Sequence, residues 1–324
     1  MKPIWREMIM AVVMGMILPG IVLNYAVEQR QINPKETIAA LENVQTHPQK
    51  KVDMSMHLRD TGGSVREMDM DAYLVGVVLA EMPADFEQEA KMAQSIVART
   101  FALKAIVTGG KHGDGSVCTN SGCCQAYISE AEYISIGGNE QTIEAARSAV
   151  LATSGYVLTY EGELIEATYF SCSGGSTEDA AAVWGTEFPY LQATDSPGEE
   201  YAAHYTDTVY FSAPEFAGAL GLALSGSPEE WLGTATYTEG GGVSTMFICG
   251  HEYTGTGLRS LLGLRSTAFT MTADDGGITV TTKGFGHRVG MSQYGADAMA
   301  ASGSSCEQIL SHYYQGTVLT LWEN

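Results

Sequence analysis

Two groups of residues in this chain have types and spacings that could do chemistry. The first is a single carboxylate. Leu74, Val77 and Val78 lie three or four residues apart, and Glu81 continues their stripe one helical turn further, directly before Met82 and Pro83. A carboxyl group that ends an apolar stripe loses solvent, and lost solvation raises its pKa toward the range a general acid needs. The competing reading is a helix-end glutamate turned back to water, which position alone favours. The second group is His112, Cys118, Cys123 and Cys124. One imidazole and three thiolates can fill the tetrahedral shell of a zinc ion, and four protein ligands would make that metal structural. The alternatives are a Cys118–Cys123 or Cys118–Cys124 disulfide, or free thiols.

Two loops of small residues come next. In Ser171–Gly175 the glycines would let backbone approach a ligand closely, and the hydroxyls of Ser171 and Ser173 could hydrogen-bond a sugar. Tyr169, just before them, could stack on a pyranose ring. Gly284–Ala296 sets His287, Ser292 and Gln293 around a turn and a helix start. Taken singly, turn serines and core tyrosines are the commoner identities of such residues. Gly284-x-Gly286 lacks the strand–glycine–helix surroundings of a nucleotide-binding loop. Cys172, Cys249 and Cys306 have no partner by spacing, and a small buried hydrophobe is the expected role for Cys172.

The elements that must position these groups are mixed. Lys51–Leu58 and Ser64–Met68 read as a hairpin across Thr61–Gly63. Asp71 is placed to cap a helix Ala72–Glu81, which Pro83 stops. Asp85, with Gln88 at the capping-box position, is placed to start a longer helix Phe86–Val107, with Ala90, Ala93, Val97 and Phe101 on one face. A glycine- and cysteine-rich loop, Gly109–Gln125, and a helix near Thr142–Thr153 follow. Tyr156–Tyr160 and Glu163–Phe170 flank Glu161-Gly162 as a tight hairpin. Pro189–Gly242 is harder to read, with short helices expected at Ala213–Leu222 and near Glu229–Leu232. A strand Ile278–Thr282, a helix Ser292–Ala301 and a helix Cys306–Tyr314 capped by Ser304 or Ser305 complete the chain. The order has no βαβ rhythm, so the expected class is α+β, with one globular domain over residues 61–324.

Composition narrows the partners. With 45% apolar residues the chain can bury a sizeable core, and a disordered chain is not expected. The formal net charge is −21, and Ser148–Leu258 contains no Lys or Arg. Such a surface repels nucleic acid, so nucleic-acid binding is not expected, whereas a neutral carbohydrate is compatible with it. At the N-terminus, Lys2 and Arg6 precede the apolar run Met8–Leu23. Residues 1–24 therefore read as an uncleaved membrane anchor with the bulk of the protein outside, a cleaved signal being the alternative. Residues 25–60 read as a stalk leading into the first strand.

Several blocks, in order, carry a resemblance: YLVGVVLAEMP over Tyr73–Pro83, EAKMAQSIVARTFAL over Glu89–Leu103, YFSCSGG over Tyr169–Gly175, GFGHRVGMSQYGA over Gly284–Ala296, and HYY over His312–Tyr314. Together they resemble the stage II sporulation protein D family of lytic transglycosylases across most of residues 68–320. The resemblance implies cleavage of peptidoglycan glycan strands between N-acetylmuramic acid and N-acetylglucosamine, with Glu81 as the catalytic acid and base. It also implies 1,6-anhydro ends and a preference for strands stripped of stem peptides. By the same resemblance Tyr169, Ser171, Ser173, Gly174, His287, Ser292 and Gln293 are cleft candidates, although Arg288 stands where the family usually has glycine. Family members that bind zinc use a His-Cys-His-Cys set, in which Cys123 here replaces the second histidine. The implied setting is the mother-cell membrane facing the septum, with an amidase, stage II sporulation protein P, and the membrane protein M of that stage as partners. A non-catalytic wall-binding module that stimulates an amidase has precedent among relatives, and a zinc hydrolase would need an open coordination position.

Overall fold

The centre of the molecule is the helix Gln88–Thr108, and its sequence explains why. Five alanines and one serine are spread along it, and Ala90, Ala93, Gln94, Val97, Ala98, Arg99, Thr100 and Ala102 are all fully buried. Side chains this small let several elements approach one helix. Helices Met70–Glu81, Glu140–Ala152, Gln293–Ala301 and Cys306–Tyr313 and the strand Tyr156–Tyr160 all pack against it. Phe101, expected on the buried face, is half-buried and reaches the surface of a cleft. These features come from a computed structural model that describes residues 54–223 and 225–322. The expected membrane anchor, residues 1–24, and most of the expected stalk lie outside the described residues. Among the described residues no helix is long and apolar enough to cross a membrane.

The class is α+β, as the mixed order of elements predicts. Among the described residues five small sheets, each of two or three strands, lie among the helices. Ser55–Arg59 pairs antiparallel with Val65–Asp69 and, at Leu58 and Arg59, parallel with Val117–Cys118, a short strand inside the cysteine-rich loop. Tyr156–Tyr160 pairs with Val318–Leu321 and with Glu163–Leu164. The turn between Tyr156–Tyr160 and Glu163–Leu164 has φ 51° at Glu161 and 86° at Gly162, the doubly left-handed backbone of a two-residue hairpin.

That hairpin is shorter than expected. Beyond Ile165 the chain leaves the ladder because other partners take its backbone: Glu166 N–H donates to Tyr190 Oη, and the Thr168 carbonyl accepts from Tyr314 Oη and Met291 N–H. Tyr169–Phe170 then pairs parallel with Met291–Ser292, which joins the two small-residue loops at their roots.

Residues from Thr206 to Lys283 enclose a second hydrophobic cluster. Thr206–Ser212, Gly277–Lys283 and Phe269–Asp274 form one antiparallel sheet, and Leu232–Tyr237, Val243–Ile248 and His251–Thr254 another. Phe216, Trp231, Val243, Ile248, Leu258, Ile278 and Val280 fill the space beside them. The helix expected at Ala213–Leu222 runs Ala213–Leu220, and the one expected near Glu229–Leu232 is a single 3₁₀ turn, Pro228–Glu230, followed directly by strand.

Two helix starts differ from expectation, the first because an acidic residue has a stronger buried partner. The cap of Met70–Glu81 is Asp69, whose Oδ1 accepts from Ala72 N–H at 2.9 Å. Asp71 is instead buried, 3.1 Å from the Arg99 guanidinium and accepting Ser154 Oγ at 2.8 Å. Arg99 also donates to the carbonyls of Val150, Thr153 and Tyr156. The long helix begins at Gln88 rather than Phe86 and has no side-chain cap; Glu87 N–H donates to Asp297 Oδ1, and Gln88 reaches the Ala145 carbonyl. Breaking a buried, hydrogen-bonded ion pair costs several kcal/mol because the remaining charge has no partner. Arg99→Met is expected to lower the unfolding free energy by about 3–5 kcal/mol, read from urea denaturation midpoints at constant slope.

Candidate active site

Glu81 ends its helix with Met82 in extended conformation, and the segment after the cysteine-rich loop is laid directly against it. That close pass depends on Gly76, where a Cβ would come within 2.4 Å of the Tyr127 ring and 2.6 Å of the Ile128 carbonyl. Ile128 N–H in turn donates to the Gly76 carbonyl. The result is an Ala126 N–H pointed at Glu81 Oε1 at 2.8 Å.

A directed chain of hydrogen bonds reaches the same oxygen. Tyr73 Oη donates to Gln125 Oε1 at 2.8 Å, Gln125 Nε2 to Tyr169 Oη at 3.2 Å, and Tyr169 Oη to Glu81 Oε1 at 3.2 Å. Burial, followed by neighbouring negative charge, pushes both tyrosines well above their ordinary pKa, so each stays a proton donor. Oε2 has a looser partner, Gln293 Nε2 at 3.4 Å, which also faces Gln94 Oε1 at 3.5 Å. With two donors on Oε1, an acidic proton belongs on Oε2.

Two opposing influences act on this carboxyl. Burial raises its pKa and is the larger; the donors Ala126, Gln293 and Tyr169 pull it down. Desolvation favours the acid, and the hydrogen bonds keep the anion accessible. A group balanced in this way can give a proton and take one back.

Glu81 opens onto a cleft of about 800 Å³ lined by Ala126, Tyr169, Ser171, His287 and Gln293, with Phe101, Phe170, Trp184, Phe188 and Phe285 as aromatic walls. The other carboxylate among the described lining residues, Glu166, is ion-paired with Lys104 at 2.7 Å. His287 lies edge-on to Phe170 and tilted against Trp184. Its Nδ1 accepts from Val289 N–H, so the neutral ring carries its hydrogen on Nε2. Burial first, and the charge of Arg259 next, push its pKa down to about 4, which makes it a neutral donor rather than a cation near pH 7.

Ser173, Gly174 and Ser292, expected at the cleft, are placed behind it. Ser173 is fully buried, with its hydroxyl and N–H on the Glu199 carboxylate, which also accepts from Gly174 N–H, Ser196 Oγ and the Cys172 thiol. Gly174 must be small, because a Cβ there would lie 2.8 Å from Gly284 N. Ser292 caps the helix Gln293–Ala301 and thereby aims Gln293. These residues hold the two loops together instead of facing the cleft. Burial and Glu199 also keep Cys172 a protonated thiol, unsuited to nucleophilic attack.

Arg288 explains its own departure from the family pattern. Its φ is 66°, a backbone state in which glycine is the unstrained residue. The arginine offsets that strain with a buried guanidinium that pairs with Glu178 at 3.0 Å and donates to the carbonyls of Ser173, Ser176 and Gly240.

The second group assembles beside the cleft. One ligand atom from each of His112, Cys118, Cys123 and Cys124 lies within 4.8 Å of all the others. His112 Nε2 is 3.8 Å from Cys123 Sγ and 3.6 Å from Cys124 Sγ, and the two sulfurs are 3.9 Å apart. A tetrahedral zinc ion with ordinary bond lengths sets sulfurs about 3.8 Å apart and nitrogen and sulfur about 3.6 Å apart. The residues therefore fit such an ion, and none of these cysteines is in a disulfide. Cys123 and Cys124 also line the cleft, and Gln125 and Ala126 follow them without a break.

Pattern reading did not find Ala126, Gln125, Tyr73, Gln94 or Trp184. Ala126 contributes through its backbone and leaves no side-chain signal. Tyr73 lies on the apolar face of its helix and reads as core. Gln94 is a fully buried amide between Ala90, Ala93 and Val97, a signal that could have been used.

Fold and cleft define the class as an α+β protein built around one half-buried carboxyl group and a four-ligand loop. Residues 59–160 match the family model described as Stage II sporulation protein. The chain is 41% identical to Stage II sporulation protein D of Bacillus amyloliquefaciens over 80% of its own length and 76% of that protein. It is 40% identical to Stage II sporulation protein D of Bacillus subtilis (strain 168), over 81% of this chain and 77% of that one. An amidase enhancer of the same B. subtilis strain is 28% identical, covering 76% of this chain and 40% of the relative. The chain belongs to the stage II sporulation protein D family, a family of sporulation proteins.

Proposed function

We propose that this protein is a lytic transglycosylase acting on peptidoglycan glycan strands stripped of stem peptides. The observation that carries the reading is the balanced Glu81 carboxyl in an aromatic-walled cleft whose other carboxylate is already ion-paired. Glu81 Oε2 gives its proton to the glycosidic oxygen as that oxygen leaves C1 of N-acetylmuramic acid. The 6-hydroxyl of the same sugar then closes on C1, and the Glu81 carboxylate takes the hydroxyl proton. Because the nucleophile is already in the substrate, neither a second carboxylate nor an activated water is needed, and proximity supplies much of the rate. Ala126 N–H and Tyr169 Oη steady the carboxylate between the two steps, and the aromatic walls, with the neutral His287 ring beside them, face the pyranose rings.

A zinc ion held by His112, Cys118, Cys123 and Cys124 would fix the loop that carries Ala126. With four protein ligands it has no position left for water. The reading extends, by family analogy, to a membrane-tethered protein facing the septal wall, working with the amidase stage II sporulation protein P and the membrane protein M of that stage. The relative named amidase enhancer supports a second reading, in which the cleft holds glycan without cleaving it.

Product analysis separates these readings. Purified protein incubated with stripped glycan is expected to release fragments whose muramic acid ends are lighter than hydrolytic ends by one water. Ordinary reducing ends would indicate hydrolysis, and intact strands retained by the protein would favour the enhancer reading.

A further inference from the structure

One cation stands in a cleft that otherwise has none. Lys111 lines it together with Glu81, Tyr169 and His287, and among the described lining residues it is the sole Lys or Arg. Much of the rest of the lining, from Glu166 to Ser171 with Trp184 and Phe188, comes from Ser148–Leu258, which contains neither. The neighbouring Lys104 is ion-paired with Glu166. Lys111 Nζ donates to the Cys123 carbonyl, which pins the ammonium against the metal-ligand loop and leaves two N–H groups for a ligand. Lys111 and His287 line the same cleft, and both border the aromatic walls.

We infer that Lys111 is a specificity-determining residue that binds the free lactyl carboxylate of muramic acid. This rests on the transglycosylase reading above and names the group by which stripped strands are recognised. In strands that keep their stem peptides the lactyl carboxyl is an amide and carries no charge. Removing the peptide exposes one carboxylate on every disaccharide, and a carboxylate on an ammonium forms a charge-assisted hydrogen bond that an amide cannot replace. The acidic surface beyond the cleft disfavours the carboxylates of attached peptides, so attraction and repulsion act in the same direction.

The test uses the full chain carrying Glu81→Gln, so that binding is read without turnover. Its ligands are a stripped tetrasaccharide of alternating N-acetylglucosamine and N-acetylmuramic acid, and the same compound with its lactyl carboxylates converted to neutral N-methylamides. The carboxylate form is expected to bind roughly tenfold more tightly by calorimetry. Adding Lys111→Gln should abolish that difference, and Lys111→Arg should keep it. In the active enzyme Lys111→Gln should raise KM on stripped glycan much more than it lowers kcat.

A folded, metal-replete Lys111→Gln protein that still prefers the carboxylate overturns the inference. Should that variant lose its metal or unfold, salt decides instead: the preference shown by the Glu81→Gln protein must shrink as salt rises, and a preference insensitive to salt overturns the inference. If active protein releases no anhydro ends from either substrate, the transglycosylase reading fails, and the binding comparison still decides the role of Lys111.

Discussion

Glu81→Gln is expected to cut the release of anhydro-ended fragments by roughly a thousandfold, within the range that loss of a general acid–base usually costs, while KM changes little. Glutamine keeps the shape of the side chain and an oxygen for Ala126 N–H and Tyr169 Oη, so the cleft should survive. What it lacks is a proton that can be given and taken back. Retention of near-normal activity would remove Glu81 from the chemistry.

The same residue makes a second, independent statement through pH. Burial, the largest influence on it, raises the folded-state pKa of Glu81 above its unfolded value. The folded protein thus favours the neutral carboxyl, and the associated stability is fully present below the unfolded pKa and lost as pH rises through the folded one. Glutamine is neutral throughout. Glu81→Gln should therefore melt above the parent at pH 8, and the gap should close toward pH 4, near the unfolded carboxyl pKa of about 4.3. Activity should fall along the same alkaline limb, since the acid form begins the reaction. A melting difference independent of pH would show that Glu81 is not held in an environment hostile to its charge.

How much of this could be read in the chain depended on whether a residue's local pattern agreed with its tertiary partner. Ser305 and Gln308 form the capping box of Cys306–Tyr313 from local contacts alone, and Ser305 was legible as one of two caps. Asp71 was misread because its partner, Arg99, lies far along the chain and outweighs a cap. The Glu163–Phe170 strand was legible as alternation, but its pairing was not, since Tyr190, Tyr314 and Met291 take the backbone after Ile165. In the cleft, Glu81 could be seen as an anomaly of pattern, and Gln293 as a residue at a helix start. Their meeting within 3.4 Å across the fold has no counterpart in spacing. Arg288 is the instructive case: in sequence it is only a departure from a glycine position beside His287, whereas in the fold it carries glycine's backbone angle and builds a buried ion pair.

The four-ligand loop should matter to the cleft almost as much as Glu81 does, although no atom of the ion would touch the substrate. Val117–Cys118 is the one strand in the loop, paired to Ser55–Arg59 through two residues. The Arg59–Asp114 ion pair and turns at Asp114 and Asn120 add to its order, and a metal on His112, Cys118, Cys123 and Cys124 would join its two ends. Lys111 precedes the first of these ligands, and Gln125 and Ala126 follow the last, so the loop sets the cation, the N–H on Glu81 and the amide that orients Tyr169. A displacement of about 1 Å in such groups can cost roughly a hundredfold in rate. Cys124→Ser is accordingly expected to lose one bound zinc per chain, lower the melting temperature and reduce activity about a hundredfold. Chelation of the parent should do the same, measured as metal content, melting and product release on one sample. Cobalt in place of zinc should restore both stability and rate with an unchanged pH profile, because a metal closed by four protein ligands activates no water. A profile that moved with the metal would instead place the ion in the reaction, and stripped protein with full activity and an unchanged melting temperature would leave the loop no such role.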